Sequence, residues 1–159
     1  MSFEFTDELK KKVERIDELS RMSLVYGVVD EEKTYPNGEF VYKVGIYNEY
    51  GTNDIPSRPF FRSFQWNKGN ILKELCKKMF NSCVKGDIKP IDAYKRVGRY
   101  CKSAITDSLL NGSWQPNAPS TVKLKGSDRP LVDTGNLLNC IGFVIYKDDV
   151  EIYREVGSA

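Results

Sequence analysis

Histidine is absent from this sequence, and its four cysteines stand apart from one another. They occupy positions 76, 83, 101 and 140, and none belongs to a Cys-x-x-Cys pair. Without histidine, Ser-His-Asp and Cys-His catalysis and His-ligated metal sites are excluded. Only carboxylate, lysine, tyrosine or cysteine chemistry stays open. We expect buried, reduced thiols and neither a metal nor a cofactor.

Long apolar runs are also missing. No stretch approaches the roughly 20 apolar residues that a membrane-spanning helix needs, so we expect no membrane partner. The 159 residues are 40% hydrophobic and 29% charged, which suits one compact domain covering residues 1–159. A chain of this length buries roughly two-thirds of the surface that it exposes when unfolded.

The net charge is only +2, yet the charges are unevenly distributed. Residues 68–102 contain ten bases and three acids, a net charge of +7, whereas the segments on either side are net negative. Spacings of three and four residues place part of this block on one face of a helix. This basic face consists of Lys95, Arg96, Arg99 and Lys102. It is interpreted either as a solvated helix surface or as a contact with DNA or an acidic partner.

Hydrophobic periodicity predicts a helix and a β-hairpin in the first third of the chain. Apolar residues at helical spacing predict a helix over residues 6–19. Alternation predicts a strand at residues 23–29. The Asn37-Gly38 pair is a hairpin signal because it supplies positive φ angles. We expect the return strand at residues 40–47.

The middle of the chain is predicted to be helical. A first helix is expected to break near Gly69 and to end at Gly86. Pro90 suits the first position of a second long helix, which ends near Asn111. Residues 112–130 are expected to form a long loop, whose length indicates a function or ordering by a partner.

The last part of the chain is predicted to return to the sheet. A short helix through Leu138 precedes strands at residues 141–146 and 150–153. With the hairpin, these strands give an antiparallel sheet of about four strands, packed on helices, with long loops. The predicted fold class is therefore α+β in a single domain.

Two short stretches are the most informative for function. The first runs from Glu49 to Arg62 and reads EYGTNDIPSRPFFR, and the second runs from Arg129 to Leu138 and reads RPLVDTGNLL. Each combines glycine, proline and a capping residue ahead of a helix, so each fixes a backbone path. The positions predicted to be structural in these stretches are Gly51, Asp133, Thr134 and Gly135.

The triplet Asp133-Thr134-Gly135 permits two interpretations. It looks like the Asp-Thr-Gly of aspartic proteases, in which two carboxylates share a proton. Only 24 residues follow Gly135, too few for the β-rich remainder of a retroviral-type protease, and Asn136 stands where that family has a small residue. The favoured alternative is that Asp133 or Thr134 caps a helix and that Gly135 permits a tight entry.

Together the two stretches resemble segments of the tailed-phage virion morphogenesis proteins, the Mu G-like group and related tail-completion or neck proteins. Glu49 to Phe60 follows the family pattern E-F/Y-G-T…I-P-A/S-R-P-F. Arg129 to Ile141 follows R-P-L-I/V-D-T-G-x-L-x-x-S-I, with Cys140 at the serine position. The resemblance covers roughly residues 45–145 in order and spacing. Asn48 departs from the family, in which many members carry histidine.

The resemblance implies a non-enzymatic structural protein of the virion, made in the host bacterial cytoplasm and placed at the head–tail junction. Such a neck, tail-completion or tail-terminator component would form a homo-oligomeric ring that joins the connector to the tail. The implied partners are other head–tail connector and tail proteins, with non-specific contact to genomic DNA in the channel also open.

A ring needs heterologous contacts between subunits, and the 55–62 and 112–130 loops are expected to act as the projecting parts. The rings of Phe60 and Phe61 anchor the first loop either to its own domain or to a neighbour. Arg58 and Arg62 either meet acidic partner groups or are solvated. The residues expected to contact a partner or subunit are Ile55, Pro56, Arg58, Pro59, Phe60, Phe61, Arg62, Trp114, Lys123, Lys125 and Arg129.

Two further functions stay open beside the junction role. A nucleic-acid-binding module would use the basic helices of residues 73–102, and its DNA affinity would fall steeply with salt. A tail-assembly chaperone would be absent from the finished particle.

Overall fold

The computed structural model describes residues 6–125, 128, 130–131 and 135–157. These residues form an α+β domain, as predicted. The helices are α1 (Asp7–Ser20), α2 (Val41–Tyr50), α3 (Phe60–Lys85), α4 (Pro90–Asn111), α5 (Pro119–Lys125) and α6 (Asn136–Asn139). The strands are β1 (Met22–Val28), β2 (Ile141–Lys147) and β3 (Val150–Val156).

The three strands form one antiparallel sheet in the order β1-β2-β3. β1 pairs with β2 in continuous register from Met22–Lys147 to Val28–Ile141. β2 and β3 form a hairpin whose register shifts at Tyr146. The central strand β2 is the most buried of the three, and its partner β1 comes from the opposite end of the chain.

The helices pack on the sheet face that carries Phe143 and Ile145. α4 crosses β1 and β2, and it approaches so closely that a Cβ on Gly98 would stand 2.3 Å from the Phe143 ring. α3 lies beside α4 on the β1 side, where Phe61, Phe64 and Gln65 reach the ring or hydroxyl of Tyr26. α1 packs on α3. The largest fully buried side chains of this core are Phe64, Ile105, Leu109, Ile141, Phe143 and Ile145.

Several predicted elements are confirmed because their signals are local. Thr6 caps α1, since its Oγ1 accepts a hydrogen bond from the Leu9 amide at 3.4 Å. Gly86 ends α3 in the left-handed conformation at φ 89°, and Pro90 begins α4. The strands predicted at 23–29, 141–146 and 150–153 are present with ends shifted by one to three residues.

The strand predicted at residues 40–47 is wrong, because this segment is the helix α2. Val41, Gly45 and Glu49 are all buried, and a spacing of four residues puts them on one helix face. The turn at Gly38 does form, with φ 82°, but it closes only a single bridge between Thr34 and Phe40. The described sheet accordingly has three strands, close to the predicted number of about four.

Two further predictions about the middle of the chain are corrected. α3 is continuous through Gly69, whose Cβ position has open space around it, so the glycine costs some helix propensity without breaking the helix. The predicted loop 112–130 contains the helix α5. α5 begins at Pro119, and proline suits a first helical position because its missing N–H has no intrahelical acceptor there.

Candidate functional site: a buried bracket and a basic face

Two charged residues are buried in the described part of the chain, and both belong to the first motif stretch. Glu49 is 6% exposed and Arg58 is 4% exposed. Burying a charge costs free energy unless hydrogen bonds satisfy it. We call Glu49, Arg58, Arg62 and the groups that they bind the bracket.

Glu49 caps the first turn of α3 from twelve residues away. Its Oε2 accepts a hydrogen bond from the Phe61 amide at 2.9 Å, and its Oε1 accepts from the Arg62 amide at 3.0 Å and from Arg62 Nε at 2.9 Å. The first amides of a helix lack intrahelical acceptors and carry partial positive charge. The cap residue itself, Pro59, offers no side-chain acceptor. The Glu49 carboxylate, which belongs to α2, is therefore the side-chain acceptor for these amides.

Arg58 joins α2 to the segment that follows α4. Its Nη1 donates to Asn48 Oδ1 at 3.0 Å, and its Nε donates to the Gln115 carbonyl at 2.9 Å. Its Nη2 donates to the Pro116 carbonyl at 3.1 Å and to Asn117 Oδ1 at 3.2 Å. These four partners are neutral oxygens, and burial lowers the pKa of Arg58 below its usual value.

The loop between α2 and α3 is closed on itself. Gly51 has φ 81°, and a Cβ there would stand 3.0 Å from the Ser57 amide nitrogen and 3.1 Å from the Ile55 carbonyl oxygen. Thr52 Oγ1 accepts a hydrogen bond from the Ile55 amide at 3.0 Å. Ser57 Oγ donates to the Glu49 carbonyl at 3.0 Å. Only a residue without a side chain fits the position of Gly51.

The bracket corrects the expectation that Arg58 and Phe60 project toward a partner. Arg58 is neither solvated nor available at the surface, and Phe60 is 3% exposed. Phe61 is half-buried and stacks on Tyr26 with ring centroids 6.0 Å apart, so both rings anchor the segment to its own domain. Ile55, Pro56 and Pro59 are half-buried.

Arg62 faces the surface, with a side chain that is 38% exposed. Its guanidinium carbon lies 4.7 Å from the centroid of the Tyr50 ring and 5.8 Å from that of Trp66. The two aromatic residues are 67% and 69% exposed. A cation held between exposed rings, with its Nε fixed by Glu49, makes a rigid surface cluster. We call Tyr50, Arg62 and Trp66 the aromatic cluster.

The predicted contact residues of the second loop are placed differently. Trp114 is half-buried and its Nε1 donates to the Leu109 carbonyl at 3.3 Å, while Lys123 is exposed. The side chain of Lys125 and the residues Arg129, Asp133 and Thr134 lie outside the described part of the chain. Gly135 precedes α6 with φ 78°.

The basic face of α4 lies beside β3 and is partly neutralised by it. Arg99 Nε lies 3.0 Å from Glu155 Oε2, and Lys102 Nζ lies 3.3 Å from Glu155 Oε1. Lys95 Nζ stands 4.1 Å from the centroid of the Tyr153 ring, and Arg96 is exposed. Burial raises the pKa of Glu155, but hydrogen bonds from Tyr153, Arg99 and Lys102 outweigh it and hold the pKa below its usual value.

Sequence reasoning assigned no role to Asn48, Gln115, Pro116 and Asn117, which complete the bracket. Asn48 stood out only as a departure from the family pattern, and it accepts a hydrogen bond from Arg58. Gln115 and Pro116 contribute backbone carbonyls, which leave no signature in the side-chain sequence. Sequence reasoning singled out Glu49 as the first residue of its motif. It did not predict the capping role, because Glu49 lies far along the chain from the amides that it caps.

The thiols are free, and three of them are buried as expected, whereas Cys76 is exposed. Burial raises the pKa of Cys101 to about 12 and that of Cys140 to about 11. The residues described contain no group of three or more cysteine, aspartate or glutamate side chains arranged to hold a metal ion. Nor do they include a helix long and apolar enough to cross a membrane.

Comparisons of the chain with protein-family models, with curated proteins and with solved structures found no match.

Proposed function

We propose that this protein is a non-enzymatic structural component of the head–tail junction of a tailed phage, acting as a ring subunit. The observation that carries the proposal is the bracket. Glu49 and Arg58 belong to the family pattern, and together with their neighbour Arg62 they hold α2, α3 and the segment after α4 together. Charged side chains that hold helices and loops together support a structural role rather than a catalytic one.

The aromatic cluster supplies a candidate ring contact. Tyr50 and Trp66 are two of the most exposed large apolar residues of the described chain, and aromatic residues together with arginine are enriched where protein interfaces gain most of their energy. Because Glu49 fixes Arg62 from below, the cluster loses little conformational entropy on binding. The partner proteins are other connector and tail components or a second copy of this subunit.

Electron microscopy of a lysate tests the role directly. A phage that carries an early stop codon in this gene is expected to yield filled heads and finished tails that lie unjoined. Intact, infectious virions would refute the junction role. A lysate with heads but no tails would replace it with the tail-assembly chaperone.

Complementation with variants then tests the surface. Trp66→Ser is expected to fold normally but to restore fewer infectious particles than the wild-type gene. Ile71→Ser is the matched control, because Ile71 is a comparably exposed apolar residue of the same helix, 58% against 69%, and lies outside the cluster. Equal complementation by both variants would remove the aromatic cluster from the proposal.

A further inference from the structure

The charges of this domain gather at two ends of opposite sign. Residues 77–99, which cover the end of α3 and the start of α4, contain seven bases and two acids, a net charge of +5. Residues 29–55, which follow β1 and include α2, contain six acids and two bases, a net charge of −4. We call these segments the basic end and the acidic end.

The two segments lie at opposite ends of β1. The Tyr94 hydroxyl hydrogen-bonds to the Leu19 carbonyl at 3.1 Å and to the Met22 carbonyl at 2.8 Å, which places the start of α4 at the beginning of this strand. The acidic end follows the last residue of the strand, Val28. Because β1 has seven residues and a strand rises about 3.3 Å per residue, the two segments are held roughly 20 Å apart.

The basic end carries cations that the domain itself does not neutralise. Lys85, Lys89 and Arg96 are exposed, and none of them forms an ion pair with another residue of the described chain. The helix α1 also reaches this end, but it holds five acids and four bases and so adds little net charge. These three side chains are therefore free to meet acidic groups of another molecule.

The acidic end carries the complementary anions. Glu31 and Glu32 are exposed, and neither forms an ion pair with a described residue. Two bases of neighbouring elements are already engaged, because Arg62 is paired within the bracket and Arg154 binds a carboxylate of its own strand, β3. The two glutamates are therefore open to cations from outside.

An aromatic groove adjoins Glu31 at the acidic end. Its volume is about 680 Å³, and its lining includes Glu31, Phe40, Tyr42 and Phe61. The ring centroids of Phe40 and Tyr42 are 5.5 Å apart, and Lys43 Nζ already lies 5.3 Å from the Phe40 centroid. Aromatic faces beside a carboxylate attract ammonium and guanidinium groups. The groove therefore suits the side chains that the basic end presents.

A second copy of this chain satisfies both ends at once. DNA or another polyanion would be attracted by the basic end and repelled by the acidic end, whereas a second copy offers the complement of each. Like ends repel, so neighbouring copies are oriented head to tail. Since the ends are separated by the length of β1, every contact leaves one end free on each copy, and such heterologous contacts continue into a ring or a filament.

We propose that the basic end of one copy binds the acidic end of the next. Lys85, Lys89 and Arg96 meet Glu31 and Glu32, with a basic side chain over the aromatic groove. This inference rests on the ring role proposed above and identifies the two surfaces through which neighbouring subunits of that ring meet.

Zero-length cross-linking of the wild-type protein tests the contact without any substitution. A carbodiimide joins a carboxylate to an amine only where the two touch. At low salt and high protein concentration, we expect cross-linked peptides that join Lys85 or Lys89 to Glu31 or Glu32. Ends held roughly 20 Å apart cannot be joined within one copy. Sedimentation velocity should show species larger than a dimer, which dissociate as salt is added because exposed charges are screened.

Charge reversal with a matched control identifies the ends. Lys89→Glu is expected to weaken self-association at least tenfold, because like charges then face each other across the contact. Lys73→Glu makes the same charge change at an exposed position of α3 outside both ends and should leave self-association unchanged. Glu31→Lys should also weaken it, whereas a mixture of Lys89→Glu and Glu31→Lys should associate again, since opposite charges then meet at both contacts.

Four results would overturn the proposal. The first is a monomer at low salt without cross-links between the ends. The second is assembly that stops at a dimer, which would show that the ends pair side by side. The third is an equal effect of Lys73→Glu and Lys89→Glu, which would assign the effect to net charge alone. The fourth is binding of duplex DNA that Lys89→Glu abolishes, without self-association, which would assign the basic end to nucleic acid.

The failure of this proposal can be told apart from the failure of the junction role. Cross-linking and sedimentation use the isolated protein, so a negative result there leaves the junction role to the stop-codon lysate. Infectious virions in that lysate would refute the junction role, whereas cross-links between the ends would still establish the contact between copies.

Discussion

The bracket and the basic face both place arginine beside glutamate. The bracket is centred on a buried carboxylate, whereas the basic face lies at the surface of the domain. Glu49 is 6% exposed, and its carboxylate accepts three hydrogen bonds from the start of α3. Glu155 also meets three donors, Arg99, Lys102 and Tyr153, but its partner Arg99 has a side chain that is 57% exposed. Water therefore screens the Arg99–Glu155 pair more than the Glu49 carboxylate, whose side chain is 8% exposed. The same residue types therefore hold the fold together in the bracket, whereas at the basic face they contribute less to stability.

Removing the carboxylate of the bracket should have the largest effect. Glu49→Ala leaves the amides of Phe61 and Arg62 without their acceptor and Arg62 without its ion pair, and breaking a buried pair on one side costs about 3 kcal/mol. Urea unfolding followed by circular dichroism measures this loss. Glu32→Ala, at an exposed position, is the control and should change stability by less than about 0.5 kcal/mol. Similar losses in both variants would contradict the role of Glu49.

Substituting the bracket arginine tests geometry rather than charge. Arg58→Lys keeps a positive charge but cannot form the fork that reaches Asn48, Gln115, Pro116 and Asn117. We expect a loss of about 2 kcal/mol from the lost hydrogen bonds. Limited proteolysis should also begin to cut the chain near residues 115–117. An unchanged digestion pattern would mean that other contacts hold this segment.

Two glycines extend the contrast between interior and surface. Gly98→Ala should destabilise the fold by about 2 kcal/mol, because its Cβ would stand 2.3 Å from the Phe143 ring in a packed core. Gly69→Ala should stabilise the fold by about 0.5–1 kcal/mol, since its surroundings are open and alanine favours the helix. Thermal unfolding of the two variants should therefore shift in opposite directions. Shifts of the same sign would contradict the packing described for α4.

Neutralising the acid beside the basic face should have the smallest effect on stability. Glu155→Gln is expected to cost less than about 1 kcal/mol, because Arg99 is largely exposed. The pKa of Glu155 is lowered in the fold from its ordinary value of 4.5. Its contribution is therefore present above pH 4.5 and is lost as the pH falls through the lower folded value. The variant should lose less stability than the wild type below pH 4.5, as acid unfolding would show.

The variant Glu155→Gln also tests whether the basic helices bind DNA. Glu155→Gln frees Arg99 and Lys102 from their acidic partner and raises the local charge by one. If residues 73–102 formed a nucleic-acid-binding surface, this change would raise DNA affinity and steepen its dependence on salt. We expect neither protein to show steep salt dependence in a filter-binding titration from low to moderate salt. Tight, salt-sensitive binding would favour the nucleic-acid module over the junction role.

The parts of the fold that sequence reasoning predicted are those whose signals are local. Thr6, Gly86 and Pro90 mark helix ends within one turn of the residues that they affect. The β2–β3 hairpin follows from two apolar runs separated by a short polar turn. For the candidate site, the motif from Glu49 to Arg62 was singled out as fixing a backbone path, but Arg58 was expected to meet acidic partner groups or solvent rather than to be buried.

The remaining predictions required knowledge of contacts between distant segments. Residues 40–47 alternate well enough to suggest a strand, yet Val41 and Gly45 are buried on one side of a helix, with Gly45 packed close to Leu137. Arg58 meets Gln115 and Asn117, 57 and 59 residues away. Such partners are chosen by how the helices and the sheet pack, and no local pattern encodes them.

The sequence by itself determined the α+β class, most helix and strand positions, and the backbone path of its first motif, because propensity, capping and periodicity act over a few residues. Only the tertiary structure decided that Glu49 caps α3, that Arg58 is buried, that Glu155 meets the basic face, and that β1 stands beside β2 in the sheet. Each of these depends on side chains or strands brought together across long stretches of chain, where packing and desolvation outweigh local preference.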